Sequence, residues 1–319
     1  MIISKTPLRI SFVGGGTDNL VNQNFDGNVI STTIDKFVYV GLNKKFDNFL
    51  RFSYSITENA KEINLIKHEM LRETFKYFKI TNGLEIISVA DIPSSGSGLG
   101  SSSSFLVGLI NIINYFKNLG LKKKEIAKIA CEIEINILKK PIGMQDQYNA
   151  VYGGLKWYKF YDKNKVKVNN LNIDKKRILK FNQRLFLVFT GQVRKSEKIL
   201  AKVQKKSNFN SLLEISKLTK EFKKELISGD LNMLGKLLHQ NWLLKKSLSK
   251  NTTNSKIDQL YNYGINAGAI GGKLLGAGGG GFLLFFVDNK NQKRFKKKFF
   301  NKKIIDFNFY EKGTEIIKI

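Results

Sequence analysis

Pro93-Ser-Ser-Gly-Ser-Gly-Leu-Gly-Ser-Ser-Ser-Ser104 is the stretch whose reading decides the fold. Gly96, Gly98 and Gly100 are followed by four serines and then by an almost wholly apolar run, Phe105 to Phe116, which reads as a buried helix. Glycine loses more conformational freedom on folding than other residues, so a cluster marks backbone that approaches something closely or takes positive φ. A glycine loop ending at a serine-capped helix start presents unpaired N–H groups and the positive end of the helix dipole. Together these bind an anion, most naturally a phosphate. Two further glycine-rich stretches flank this one at a distance: Pro7-Leu-Arg-Ile-Ser-Phe-Val-Gly-Gly-Gly-Thr-Asp18 and Lys273-Leu-Leu-Gly-Ala-Gly-Gly-Gly-Gly-Phe282.

A chain of 319 residues at 42% hydrophobic content can bury one large core or two ordinary ones. Two domains are expected, 1–165 and 166–319, with the lysine- and asparagine-rich stretch 162–177 as the linker region. Lys and Arg number 54 against 26 Asp and Glu, a net +28. The excess is spread along the chain, the pattern of a solvated surface that also draws anionic substrates. In the densest basic run, Lys290 to Lys303, Phe295, Phe299 and Phe300 recur at helical spacing and predict a buried face beneath a charged one. No pattern of a common nucleic-acid module is present, so no nucleic-acid partner is expected. One cysteine, Cys131, and two histidines, His68 and His239, argue against a disulfide framework, a zinc site and a His-dependent triad. The longest apolar run, Phe282 to Val287, falls far short of the ~20 residues that span a bilayer. With no secretory signal at the start, the expectation is a cytoplasmic protein without a membrane partner.

Strands are predicted over 2–13, 29–42, 84–89, 155–160, 185–190 and 282–287. Helical spacing marks 58–79, 101–116, 122–139, 195–206, 210–228 and 230–249, with a turn-rich region before Gly276. Helices and strands mix without strict alternation, so the fold class is α+β rather than a doubly wound parallel sheet. Gly276, Gly278 and Gly281 satisfy G-x-G-x-x-G, but a strand follows them, whereas the dinucleotide fingerprint follows a strand and opens a helix. No G-x-x-x-x-G-K-S/T stretch and no protein-kinase motif set occurs.

Together, in this order and spacing, the three glycine stretches resemble those of the GHMP kinase superfamily over nearly the whole chain. The family's P-x-x-x-G-L-x-S-S motif, which wraps the ATP phosphates, stands here as Ser95-Gly96-Ser97-Gly98-Leu99-Gly100-Ser101-Ser102 after Pro93 and Ser94, with one residue more between the proline and Gly98. The first stretch, Gln145-Asp-Gln-Tyr-Asn-Ala-Val-Tyr-Gly-Gly154 and the third stretch are most similar to the branch that phosphorylates the anomeric oxygen of a seven-carbon sugar phosphate. Galactokinases carry Glu-His where this chain has Gly15-Gly16, which suggests a roomier sugar pocket.

The resemblance implies a two-lobed fold, with an N-terminal domain like ribosomal protein S5 domain 2 and a ferredoxin-like C-terminal domain. ATP would lie between the lobes, and the third stretch would buttress the phosphate loop. It implies ATP and a sugar phosphate as substrates and Mg²⁺ as cofactor. Residues 93–102 would bind ATP. Asp146 matches the family's catalytic aspartate and Arg9 the basic residue of the first motif, where a guanidinium keeps the carboxylate ionised. Ser102 and Glu134 match the Mg²⁺ ligands, and Asp18, with Thr17, Gly15 and Gly16, the sugar-binding turn. Arg194 and Lys195 resemble a segment of the heptose-phosphate branch and are candidates for the substrate's own phosphate, with Arg72 and Lys36 as weaker ones. An L-fucose or other free-sugar 1-kinase and a non-catalytic sugar- and ATP-binding regulator stay open as alternatives. So does the oligomeric state, a homodimer included.

Overall fold

The structure, a computed structural model, describes residues 1–18, 26–92, 96–161, 165–193, 209–301 and 304–318. The chain runs β1 (Ile2–Val13), β2 (Gly27–Lys44), β3 (Leu50–Ser53), β4 (Thr57–Ala60), α1 (Glu69–Tyr77), β5 (Leu84–Ala90), α2 (Ser101–Phe116), α3 (Lys123–Cys131), α4 (Gln145–Tyr152), β6 (Lys156–Tyr161) and β7 (Lys165–Asn170). It continues through α5 (Lys175–Asn182), β8 (Leu185–Phe189), α6 (Phe209–Ile227), α7 (Leu231–Leu248), α8 (Ser255–Asn266), β9 (Ala269–Leu274), β10 (Phe282–Val287), α9 (Gln292–Lys298), β11 (Ile304–Ile305), β12 (Phe309–Tyr310) and β13 (Glu315–Lys318).

The strands form two sheets. The larger runs β13-β1-β2-β5-β3-β4, with β6 and β12 joining along β2 and β7 pairing with β6, and the smaller runs β11-β8-β10-β9. All pairings are antiparallel except β3 with β5. Helices pack on both sheets, which is the α+β mixture expected. Strand periodicity explains how β1 serves both core and site: Leu8, Ile10 and Phe12 share one face and are fully buried, while Arg9 and Ser11 share the other. Helix α2 is almost wholly buried from Ser103 to Ile113, and it packs against β1 and β2. Gly108 sits where a side chain would strike Thr6 and Ser4, so it permits that approach.

Sheet membership crosses the expected 165/166 division twice. Strand β7 pairs with β6, and the C-terminal β12 and β13 return to β2 and β1. One apolar cluster runs continuously from Leu8 and Ile10 of the first lobe to Leu234 and Phe286 of the second. At its centre Phe12, Phe181, Phe222 and Phe309 pack with ring centroids 5.1–6.1 Å apart.

Other expectations also change. Of 58–79 only Glu69–Tyr77 is α-helical, because β4 closes a hairpin with β3 before it. The stretch 162–177 holds β7 and the start of α5 rather than a linker, and the turn-rich region before Gly276 contains α8 and β9. In the basic run Phe295 and Phe299 are buried, but Phe300 lies beyond the end of α9 and is exposed. The predicted helix 195–206 lies outside the described residues.

Candidate active site

The loop before α2 follows from its glycines. Gly96, Gly98 and Gly100 have φ of +68°, +77° and +78°, the left-handed region that other residues avoid. A side chain at Gly98 would lie 2.6 Å from the Leu275 carbonyl oxygen, and one at Gly276 would lie 2.5 Å from the Gly98 Cα. The third glycine stretch therefore packs backbone to backbone against the first turn of the loop. The expected serine cap is absent: the N-cap of α2 is Gly100, with no side-chain bond, because Ser101 binds Ser97 at 2.9 Å and Ser97 caps the Leu99 N–H instead. Among the described residues nothing accepts from the N–H groups of Ser101 and Ser102. Such unpaired donors with the dipole behind them leave the helix start open to an anion.

These groups line a recess with Gly96, Ser97, Ser103, Glu134, Lys140 and Asp146. The Leu99 side chain does not; it is fully buried, and its carbonyl accepts from Arg9 N–H. Pro93, Ser94 and Ser95, predicted members of the loop, lie outside the described residues, as do Arg194 and Lys195.

Beside this recess is a second, lined by Ser11, Gly15, Gly16, Asp18, Gln145, Lys245 and Lys273. Arg9, Ile142, Asp146, Gly276 and Ala277 border both. At that junction Arg9 donates from Nε and Nη2 to the two Asp146 oxygens, each at 2.7 Å, and from Nη1 to the Gly98 carbonyl at 2.6 Å. The paired fork fixes the carboxylate in plane, and the third bond ties it to the phosphate loop. Asp146 sits in the first turn of α4, where the helix dipole favours its charge.

Asp18 reaches the same helix start from the first glycine stretch. Its carboxylate accepts from Gln145 N–H at 3.0 Å, Gln145 Nε2 at 3.3 Å and Gly16 N–H at 3.2 Å, so it acts as a tertiary cap on α4. Burial, with the Asp146 charge nearby, pushes the Asp18 carboxyl up to about 6. Thr17 differs from expectation. Its hydroxyl is fully buried and is held by the Gly14 carbonyl at 2.7 Å and the Asn28 backbone at 3.0 Å, so it shapes the turn without facing the recess.

Glu134 lies behind the phosphate loop on Glu132–Ile137, a π-helical turn continuing α3. Its carboxylate accepts from Ser103 at 2.7 Å, Gln147 Nε2 at 2.6 Å and Ser102 at 3.3 Å. Burial raises its pKa, against those hydrogen bonds and the Lys140 charge. Arg72 and Lys36 are not brought here: the first pairs with Glu73 at 2.9 Å, the second with Asp35 at 3.7 Å, and neither lines either recess.

Several lining residues had no signal in the sequence. Lys273, buried, donates to the Ser11 and Phe12 carbonyls at 3.0 and 2.8 Å and so stitches the second lobe to β1. Lys245 donates to the Leu274 carbonyl at 3.1 Å and to that of Gly276. In a chain with 54 Lys and Arg, two lysines that line a recess have no compositional contrast. Among the described residues, Ser11 Oγ, Gln145 Oε1 and Gln147 Oε1 are buried without partners.

A glycine loop feeding an uncapped helix, a carboxylate beside it and a second polar recess define a two-lobed phosphotransferase. Residues 64–154 match the GHMP kinases N terminal domain and 222–306 the GHMP kinases C terminal. The chain belongs to the GHMP kinase family, whose members take their phosphoryl group from ATP, and within it is a sugar kinase. It is 32% identical to D-glycero-alpha-D-manno-heptose 7-phosphate kinase of Campylobacter jejuni, over 100% of this chain and 99% of that one. A putative sugar kinase from Campylobacter jejuni superposes with a TM-score of 0.77 at 28% identity, covering 100% of this chain and 98% of the other. The fold is shared with a D-glycero-D-manno-heptose 1-phosphate kinase from Bacteroides thetaiotaomicron, with a TM-score of 0.83 at 22% identity and coverage of 100% and 99%. No helix among the described residues is long and apolar enough to cross a membrane.

Proposed function

We propose that the chain transfers the γ-phosphoryl group of ATP to the anomeric C1 hydroxyl of D-glycero-D-manno-heptose 7-phosphate. The product is the 1,7-bisphosphate, destined for nucleotide-activated heptose and surface polysaccharide. The observation that carries this reading is the Arg9–Asp146 pair at the border of two recesses, one floored by an anion-binding loop and the other by Asp18. The full-length match to the heptose 7-phosphate kinase supports the sugar.

In this mechanism the loop amides and the start of α2 hold the ATP phosphates. Asp18 accepts a sugar hydroxyl, and the small Gly15 and Gly16 leave room for a seven-carbon chain. Asp146 orients the C1 hydroxyl and takes its proton as the oxygen–phosphorus bond forms. Arg9 holds the Asp146 carboxylate in place through its two hydrogen bonds and offers charge to the transferred group. A hard divalent cation fits the donors beside the loop: among the described residues, Glu134 is a buried carboxylate whose Oε1 meets only Ser102, and Gln147 Oε1 lacks a partner. Ser102 and Glu134 would hold Mg²⁺ with the phosphates, where it neutralises their charge. Arg194 and Lys195 remain the sequence-based candidates for the sugar's own phosphate.

The test is an ADP-release screen of six- and seven-carbon sugars with and without terminal phosphates, the phosphorylated carbon of each product being assigned by NMR. Turnover should favour heptose 7-phosphate with a new phosphate on C1. Preference for a free sugar, or phosphorylation elsewhere, overturns the assignment.

A further inference from the structure

We propose that Lys245 is a second cationic contact for the phosphoryl group in transfer, reaching it from the second lobe opposite Arg9; this rests on the kinase reading above. Lys245 belongs to α7 and lines the sugar-side recess with Arg9 and Asp146. It is held there by the carbonyls of Leu274 and Gly276. Gly276 borders both recesses and presses on Gly98 of the phosphate loop, so its carbonyl anchors the ammonium at the seam where the transferred group must pass.

The charges around it point to an anion. Arg9 and Asp146 satisfy one another. Asp18 is held by three N–H donors of the turn and of Gln145. Lys273 is engaged by the carbonyls of Ser11 and Phe12, and the neighbouring Lys246 faces away to Asp258 at 3.4 Å. Lys245 makes no ion pair among the described residues, although burial and the Arg9 charge bring its pKa down to about 7. A half-buried cation held only by carbonyl oxygens, at the rim of a recess, leaves its charge to be balanced by an anion in that recess. During transfer the bond from the sugar oxygen to phosphorus forms as that to the bridging oxygen breaks, ADP leaves with the electron pair, and the proton passes to Asp146. Lys245 exchanges no proton and supplies charge alone, where negative charge on the equatorial oxygens needs it. That phosphoryl oxyanion, rather than the sugar's own phosphate, is favoured by the contact with Gly276.

The test compares wild type with Lys245→Met and Lys245→Arg. Met should lower kcat by about 100-fold or more while sugar KM stays within about threefold, and Arg should restore a large part of the loss. Wild-type kcat/KM should fall as pH rises through about 7, where the empty site loses the Lys245 proton, and this limb should vanish in Lys245→Met. Independently of any sugar, calorimetry should show Met weakening ATP but leaving ADP unchanged. Lys245→Gln, which can still donate to the two carbonyls, carries the same tests should Met fail to fold. Unchanged kcat, a loss confined to sugar KM, or equal weakening of ATP and ADP each overturns the proposal. Absence of sugar turnover in wild type overturns the kinase reading instead, and the ATP-against-ADP comparison still decides Lys245.

Discussion

The two recesses that meet at Arg9 and Asp146 are built by different means. The floor of the phosphate-side recess is main chain: three left-handed glycines, an uncapped helix start and a second glycine stretch packed against it, with Glu134, Lys140 and Asp146 at its sides. The sugar-side recess is made of side chains from distant elements, with Ser11 on β1, Gln145 on α4, Lys245 on α7 and Lys273 on β9 around the turn at Asp18. Main chain serves a ligand every ATP-dependent enzyme shares, while side chains can change without altering the loop. A recess of the first kind tolerates no added atom; one of the second kind can be reshaped. Substitutions should therefore separate nucleotide from sugar.

The border itself should be the most sensitive point. Asp146→Asn keeps the size of the side chain but removes the proton acceptor and replaces one oxygen facing Arg9 with a competing donor. Loss of a general base costs roughly 10²- to 10⁴-fold, and kcat should fall within that range while ATP affinity is preserved. Steady-state kinetics with calorimetry checks this. A variant retaining a tenth of wild-type turnover would remove Asp146 from the chemistry.

Next in size is Gly98→Ala. At φ +77° and with the new carbon 2.6 Å from the Leu275 carbonyl, either the loop or the third glycine stretch must move. Backbone strain of this kind costs about 1–3 kcal/mol, and ATP should bind roughly 10- to 100-fold more weakly with sugar KM little altered. Gly15→Ala is its counterpart across the border. There the added carbon meets Ser11 Oγ at 3.3 Å and Gln145 Nε2 at 3.7 Å, and no positive φ stands in the way. The fold should persist and ATP affinity hold, with sugar KM raised several-fold by the lost space. Equal effects of the two alanines on both ligands would erase the distinction between the recesses.

The same distinction decides what could be read in the sequence. Left-handed glycines before a helix leave a local, ordered signature, so the loop, its helix and the packing of the third stretch were legible. Asp146, Arg9, Glu134 and Ser102 were legible through the motifs around them, and the structure brings all four to one recess. Lys245 and Lys273 act through tertiary position alone, and a lysine among so many announces nothing. Thr17 stood in the right motif, yet its hydroxyl is consumed by the turn it builds. The return of residues 309–318 to the first sheet was equally hidden. A two-residue strand such as β12 has no periodicity to detect, and its place is set by Thr33 and Ile34 opposite it.

The smallest expected effect is a pH limb that should belong to one recess only. Asp18 lines the sugar side, and its carboxyl is pushed up to about 6, chiefly by burial. As pH falls through that value the carboxyl gains a proton and can no longer accept on both oxygens from a sugar hydroxyl and from Gln145. For the sugar, kcat/KM should thus drop on the acid side as pH falls through about 6, a limb separate from the alkaline one assigned to Lys245 and read most cleanly in Lys245→Met, where the alkaline limb is gone. Any pH dependence of ATP affinity in the same window should be the same in wild type and Asp18→Asn, because Asp18 does not line the phosphate recess. Asp18→Asn should give a lower kcat/KM that no longer bends near pH 6. If the bend survives in that variant, or appears equally in ATP binding, the titrating group lies elsewhere and the two recesses share more of their electrostatics than their construction implies.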